Sequence, residues 1–172
     1  MKRKRADKSK RKVKNSGNFF KNINWWILAA CILVVFAVAS VGSVFTSGNA
    51  DSEWYKSIKP AITPPNFVFP IVWSILFLLI GISLYYTWIN SIRKFWVIIL
   101  FGINLALNIL WSFIYFSMQN PFYALIELGL LWVSIILLMV FCFKKSRISG
   151  WIIVPYLLWV SFAAFLNFLS IK

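Results

Sequence analysis

Histidine is absent from the 172 residues, and only four residues are acidic. The first absence removes the commonest general base and the usual metal and haem ligand. Cysteine is nearly absent too. Cys31 and Cys142 sit inside apolar runs, without metal-ligand spacing, and imply no disulfide framework. They read as small buried hydrophobes. GxxxxGK followed by Ser or Thr, GxSxG and HExxH are all missing. Nucleotide-driven transport and hydrolase chemistry are therefore poor descriptions. No metal site and no cofactor is expected.

The chain is rich in apolar residues instead, at 61% hydrophobic and 13% charged. A soluble domain carries about half and about a quarter. Ten of the eighteen Lys and Arg lie at or before Lys21. From Trp25 onward, long stretches carry no charge. This pattern predicts an all-α membrane protein, a bundle of five transmembrane helices. The spans fall at about 25–47, 67–89, 95–117, 121–143 and 149–170. Residues 25–172 form the transmembrane domain, with a lid loop at 48–66. Trp25, Trp26, Trp88, Trp96 and Trp151 mark span ends, as interfacial anchors do. The first run is longer than a signal-peptide core and reads as a retained span.

Residues 1–24 form a basic tail without apolar periodicity, expected to be disordered. It reads as an orientation signal that touches anionic lipid, not as a nucleic-acid arm. Arg93, Lys94, Lys144, Lys145 and Arg147 crowd two loops. Lys56 and Lys59 face Asp51 and Glu53 in a third. The positive-inside rule then places the N-terminus in the cytoplasm, with the C-terminus and the 48–66 loop outside.

Three spans carry stripes that a lipid-facing surface would not need. Asn104, Asn108, Trp111 and Tyr115 share one face of the third span, as interhelical glue or as a cavity wall. Pro155, Trp159, Ala163 and Asn167 recur every four residues in the fifth. Pro155 is expected to kink that helix. Trp73, Phe77 and Gly81 do the same in the second. Together they predict a flat apolar pocket with a few polar handles. Glu127 is the only acid within a span. It reads either as a functional group or as a carboxylate near a helix start, favoured by the dipole and reaching water.

The stretch WYKSIKPAITPPNFVFPIVWSILFLLIGIS, with LNILWSFIYFSMQNPFYALIEL and GWIIVPYLLWVSFAAFLN, resembles the TspO/MBR family in three motifs taken in order. The resemblance covers about residues 40–168. It implies a five-helix bundle, often a homodimer, whose pocket is lidded by the loop after the first helix. It also implies binding of porphyrins such as protoporphyrin IX, and of isoquinoline- or benzodiazepine-type ligands. Carried over by position, the pocket residues are Trp54, Tyr55, Trp73, Phe77, Asn108, Trp111, Trp159 and Ala163. Trp54 and Trp159 match the family's two tryptophans implicated in porphyrin photochemistry, so they are the catalytic candidates. Two functions follow as expectations: a porphyrin sensor or transporter, or a light- and oxygen-dependent porphyrin-degrading enzyme. A third reading needs no pocket: a structural membrane partner acting through the basic tail. Ile62 stands where the family commonly has Trp, and Phe168 where a sterol-binding motif needs Tyr.

Pro60, Pro64 and Pro65 stiffen the lid. A stiff loop loses less entropy on closing. Trp54 and Tyr55 offer broad faces for stacking. Lys56 and Lys59 read as rim cations for porphyrin carboxylates or as ordinary loop charge. Without histidine, haem iron would fall to Cys, Met or Tyr, and only Tyr55 and Tyr115 lie in the lid or on a stripe. Metal-free porphyrin is the expected ligand.

Overall fold

The computed structural model describes residues 23–171. The basic tail therefore lies outside the described residues, apart from its last two positions. Five long helices and one short one make up the fold, with no strand among the described residues. Helix α1 spans Trp25–Ser47, α2 Glu53–Ile58, α3 Val68–Asn90, α4 Lys94–Ser112, α5 Pro121–Lys145 and α6 Arg147–Leu169. A π-helical turn, Phe113–Ser117, extends α4. All but α2 are long and apolar enough to cross a membrane. At 23 residues, α1, α3 and α6 are each about 35 Å long, enough for a hydrocarbon core of about 30 Å.

Local chemistry sets most of the boundaries. The Asn24 side chain accepts from Ile27 N at 3.2 Å and caps α1. The Asn24 backbone N–H donates to Tyr85 Oη at 3.0 Å and ties that cap to α3. Ser52 caps α2 by accepting from Tyr55 N. Lys59-Pro60 then ends it, because the residue before proline avoids helical geometry. Pro70 sits in the first turn of α3, where no backbone donor is needed. The chain turns through Gln119 at a positive φ of 52°. Asn120 then caps α5 on Tyr123 N, with Pro121 as the first helical residue.

The five long helices close a ring in the order α1, α3, α6, α5, α4 and back to α1. Their outward faces are apolar and exposed, including Leu33, Ile75, Leu137 and Leu158, as befits a lipid solvent. At the end away from the lid, a hydroxyl cluster staples three helices. Ser83 and Ser149 Oγ lie 2.8 Å apart, Ser149 donates to Ser83 O at 2.9 Å, and Thr87 donates to Cys142 Sγ at 3.3 Å. All four residues are fully buried. Gly81 allows α1 to approach α3, since a Cβ there would stand 3.0 Å from Ile32 Cα.

Candidate functional site

A cavity of about 440 Å³ opens inside the ring beneath the lid. Helices α1, α3, α4 and α6, the π turn and the 50–67 segment line it, whereas α5 contributes no lining residue. Its aromatic wall is ordered. Phe77 and Trp73 are 5.4 Å apart at 27°, Trp73 and Trp111 6.4 Å at 31°, and Trp111 and Tyr115 5.6 Å at 28°. Four rings thus form a near-parallel ladder running from α3 to the π turn.

The π turn helps to make that wall. Met118 N donates to Phe113 O at 3.0 Å, five residues back, so the helix widens. The widened turn brings Tyr115 and its neighbour Phe116 to the cavity together, beside Trp111 and Ser112. Polar fixings hold the ladder. Trp111 Nε1 donates to Asn167 Oδ1 at 3.2 Å, and Tyr115 Oη donates to Ser170 Oγ at 3.0 Å. Asn167 Nδ2 donates in turn to Pro121 O.

The lid carries its own clasp. Lys59 Nζ donates to Asn66 Oδ1 at 2.7 Å, and Asn66 Nδ2 donates to Asp51 Oδ1 at 2.8 Å and to Ala50 O at 3.3 Å. One asparagine therefore joins the start of the lid to its end. Among the described residues, Asp51 is the only charged one lining the cavity. Tyr55 plugs the lid into the bundle, packing against Tyr115 and Phe116. Burial, with a smaller contribution from Tyr115, pushes its hydroxyl up to about 12. The Thr63 hydroxyl also lines the cavity and has no hydrogen-bond partner among the described residues.

The site residues named from sequence divide into three groups. Tyr55, Trp73, Phe77, Asn108, Trp111 and Ala163 come together around the cavity. Trp54 and Trp159 are not among its lining residues. Trp54 stands one layer back, edge-on to Tyr115 at 5.8 Å. Trp159 packs edge-on to Phe69 at 5.9 Å and lines an apolar groove with Val72, Pro155 and Phe162. Lys56 and Lys59 are not among the cavity's lining residues either. Lys56 pairs with Glu53 at 2.7 Å, which lowers the Glu53 carboxyl and raises the ammonium. Lys59 is held by Asn66.

The split along α6 has a geometric cause. Residues four apart advance about 40° around a helix, so a stripe of three such steps turns through about 120°. Ala163 and Asn167 face the cavity, while Pro155 and Trp159 have rotated toward the outer groove. The helix runs unbroken through Pro155. On α3 the same drift leaves Gly81 packed against α1 instead of facing the cavity. The α4 stripe is spaced 4, 3 and 4 residues and stays on one face. All four of its members are buried.

Sequence reasoning missed several lining residues. Gly42, Thr46 and Ser47 join Ala39 and Ser43 on α1, and Phe69, Phe116 and Asn66 complete the wall. The small residues of α1 were the available signal, but the same spacing also marks ordinary helix packing. Glu127 departs from the water-reaching alternative. It lies in the second turn of α5 but is buried, with both carboxyl oxygens unpartnered among the described residues. No group of three or more His, Cys, Asp or Glu side chains gathers into a metal site among the described residues.

The sequence profile of the TspO/MBR family matches residues 30–171. The tryptophan-rich protein TspO of Chlorobaculum tepidum is 40% identical over 144 residues, covering 82% of this chain and 91% of its own. The protein of the same name from Archaeoglobus fulgidus is 40% identical over 146 residues, covering 82% and 92%. The translocator protein of Homo sapiens is 30% identical over 134 residues, covering 74% and 78%.

Proposed function

The chain belongs to the TspO/MBR family and is an integral multi-pass membrane protein, and from that premise we propose that it is a receptor for planar tetrapyrroles. Protoporphyrin IX is the model ligand, and isoquinoline- or benzodiazepine-type molecules are alternative occupants. Binding serves porphyrin sensing or transport. The observation that carries this reading is the near-parallel ladder Phe77–Trp73–Trp111–Tyr115 beside a 440 Å³ cavity. A flat π-surface gains most from offset stacking on flat walls. The volume falls within the range of about 300–1,000 Å³ common for small-molecule sites.

Polarity orients the ligand. The inner lining carries no cation among the described residues and Asp51 sits in the lid, so a carboxylate would lie uncompensated in the interior. The macrocycle therefore lies along the ladder, and its propionates project to the rim, where Lys59 and Lys56 are the nearby cations. Trp54 and Trp159 stand one ring behind the cavity, through Tyr115 and Phe69. In this reading they support the wall. The basic tail contacts anionic lipid on the cytoplasmic side, with the lid on the opposite face, and the protein associates as a homodimer.

Titration of the full chain with protoporphyrin IX in the dark, followed by tryptophan fluorescence, tests the reading. Saturable quenching is expected, and Trp73→Ala should weaken binding about tenfold or more, since it removes the centre of the ladder. Absence of saturable binding overturns the tetrapyrrole reading. Illumination separates the enzymatic alternative: bleaching of bound porphyrin by the wild type but not by Trp159→Phe would replace the receptor with a photodegrading enzyme.

A further inference from the structure

Glu127 is 4% exposed, and neither carboxyl oxygen has a hydrogen-bond partner among the described residues. It belongs to α5, the one long helix absent from the cavity wall. Register places it nonetheless at cavity level. Asn104 Nδ2 donates to Ser134 Oγ across the α4–α5 contact. Seven residues back along α5 and seven forward along antiparallel α4, Glu127 stands opposite Trp111. On α6, Trp132 donates to Ser161 and Asn167 to Pro121, which brackets Glu127 at the turn around Ala163. Trp111 and Ala163 both line the cavity.

Buried polar groups lie on the same side of the bundle. Asn108, in the cavity wall, donates through Nδ2 to Tyr156 Oη at 3.4 Å. Tyr156 is fully buried. Asn104 Oδ1, also fully buried, has no donor among the described residues. Among the described residues, no ion pair reaches the Glu127 carboxyl. Tyr156 lies on α6, Tyr115 on the π turn and Tyr123 one turn back on α5 itself, while α4 near Trp111 carries amides, an indole and a hydroxyl. Asp51, Glu53, Lys56 and Lys59 lie in the lid segment. Arg93, Lys94, Lys144, Lys145 and Arg147 lie at the far end of the bundle. A bare carboxylate in such a setting lacks both counter-charge and donors.

We propose that Glu127 is an internal proton-binding site coupled to the cavity across the helix contacts that set it level with Trp111 and Ala163. The carboxylate takes one proton from solvent to become a neutral acid, and returns it to solvent on release. No other bond changes. An anionic occupant of the cavity favours the neutral acid, so binding and protonation reinforce one another. The coupling rests on the ligand reading above; the proton site itself does not.

Infrared spectroscopy of the full chain in lipid nanodiscs tests the site without any ligand. A protonated-carboxyl stretch should be present at neutral pH and lost in Glu127→Gln. Isotope-labelled glutamate assigns it in the wild type without substitution, because Glu53 is the only other glutamate and is paired with Lys56 at the surface. Absence of the band in the wild type at neutral pH overturns the site. Coupling is read from protoporphyrin IX affinity against pH. Propionates at the rim, about two helix-packing distances from the carboxylate, predict about fivefold weaker binding at the alkaline end in the wild type and a flat profile in Glu127→Gln. Parallel profiles overturn the coupling. A band with no protoporphyrin binding at all supports the proton site and overturns the tetrapyrrole reading instead.

Discussion

Asn66→Ala should unlatch the lid. The side chain makes three hydrogen bonds, to Lys59, Asp51 and Ala50, and joins the two ends of the lid segment. Asn66 is exposed, so water replaces part of what is lost. Each bond then counts for roughly 0.5–1 kcal/mol, in the lower half of the usual net range. The sum is about 2 kcal/mol, or about thirtyfold in the ratio of closed to open lid. Hydrogen exchange of the amides in 48–66, measured in nanodiscs, reads that ratio directly. Exchange should accelerate there and stay unchanged in α5, which does not touch the lid clasp. Asp51→Asn separates charge from geometry, because it keeps an acceptor for Asn66 Nδ2; a smaller acceleration is expected. Unchanged exchange across 53–66 in Asn66→Ala would refute the clasp and leave the prolines and Tyr55 as the only restraints.

Two further outcomes follow from the fold. Ser149→Ala removes the hydroxyl shared by Ser83, Thr87 and the Ser83 carbonyl, and should cost about 1–2 kcal/mol in unfolding from mixed micelles, with porphyrin affinity preserved because the staple lies at the opposite end. A loss below about 0.5 kcal/mol would show that Thr87 and Cys142 suffice. Tyr55 makes lid closure pH-dependent: its phenol is raised to about 12 in the closed lid from an ordinary value of about 10, so the closed lid binds the extra proton. Closure is fully favoured below about pH 10 and weakens as pH rises to about 12. Exchange protection of the lid should fall across that window in the wild type, with the Tyr55-dependent part absent in Tyr55→Phe.

The architecture was legible because a bilayer leaves few alternatives. Long apolar runs bounded by Trp, Arg and Lys became helices within a few residues of their expected limits: α3 runs to Asn90, α5 to Lys145. The α4 stripe was legible because its spacing holds one face, and the structure buries all of Asn104, Asn108, Trp111 and Tyr115. The α6 and α3 stripes were only half legible. A run at every fourth residue drifts around the helix, and which half meets the cavity depends on neighbours the pattern does not name. The α1 wall was hidden for a different reason. Ala39, Gly42 and Ser43 serve equally for close helix packing or for making room. The π turn left no periodic mark, since one five-residue bulge is too short to shift a pattern. Glu127 was read near a helix start, but its burial follows from which way the second turn of α5 faces inside the ring.

Ring closure bears on how the protein is made. The first long helix does not settle beside the second alone; it spans the gap between α3 and α4, and α3 in turn waits for α6. The cavity wall is drawn from both ends of this order, from Ala39 on α1 to Ser170 after α6. During synthesis, every long helix can insert singly, yet no subset of the first four encloses the cavity. Closure of the cavity therefore arrives as one event, when the helix carrying Ala163, Leu166 and Asn167 docks. A nascent chain interrupted before that helix would hold the whole aromatic ladder and no closed cavity.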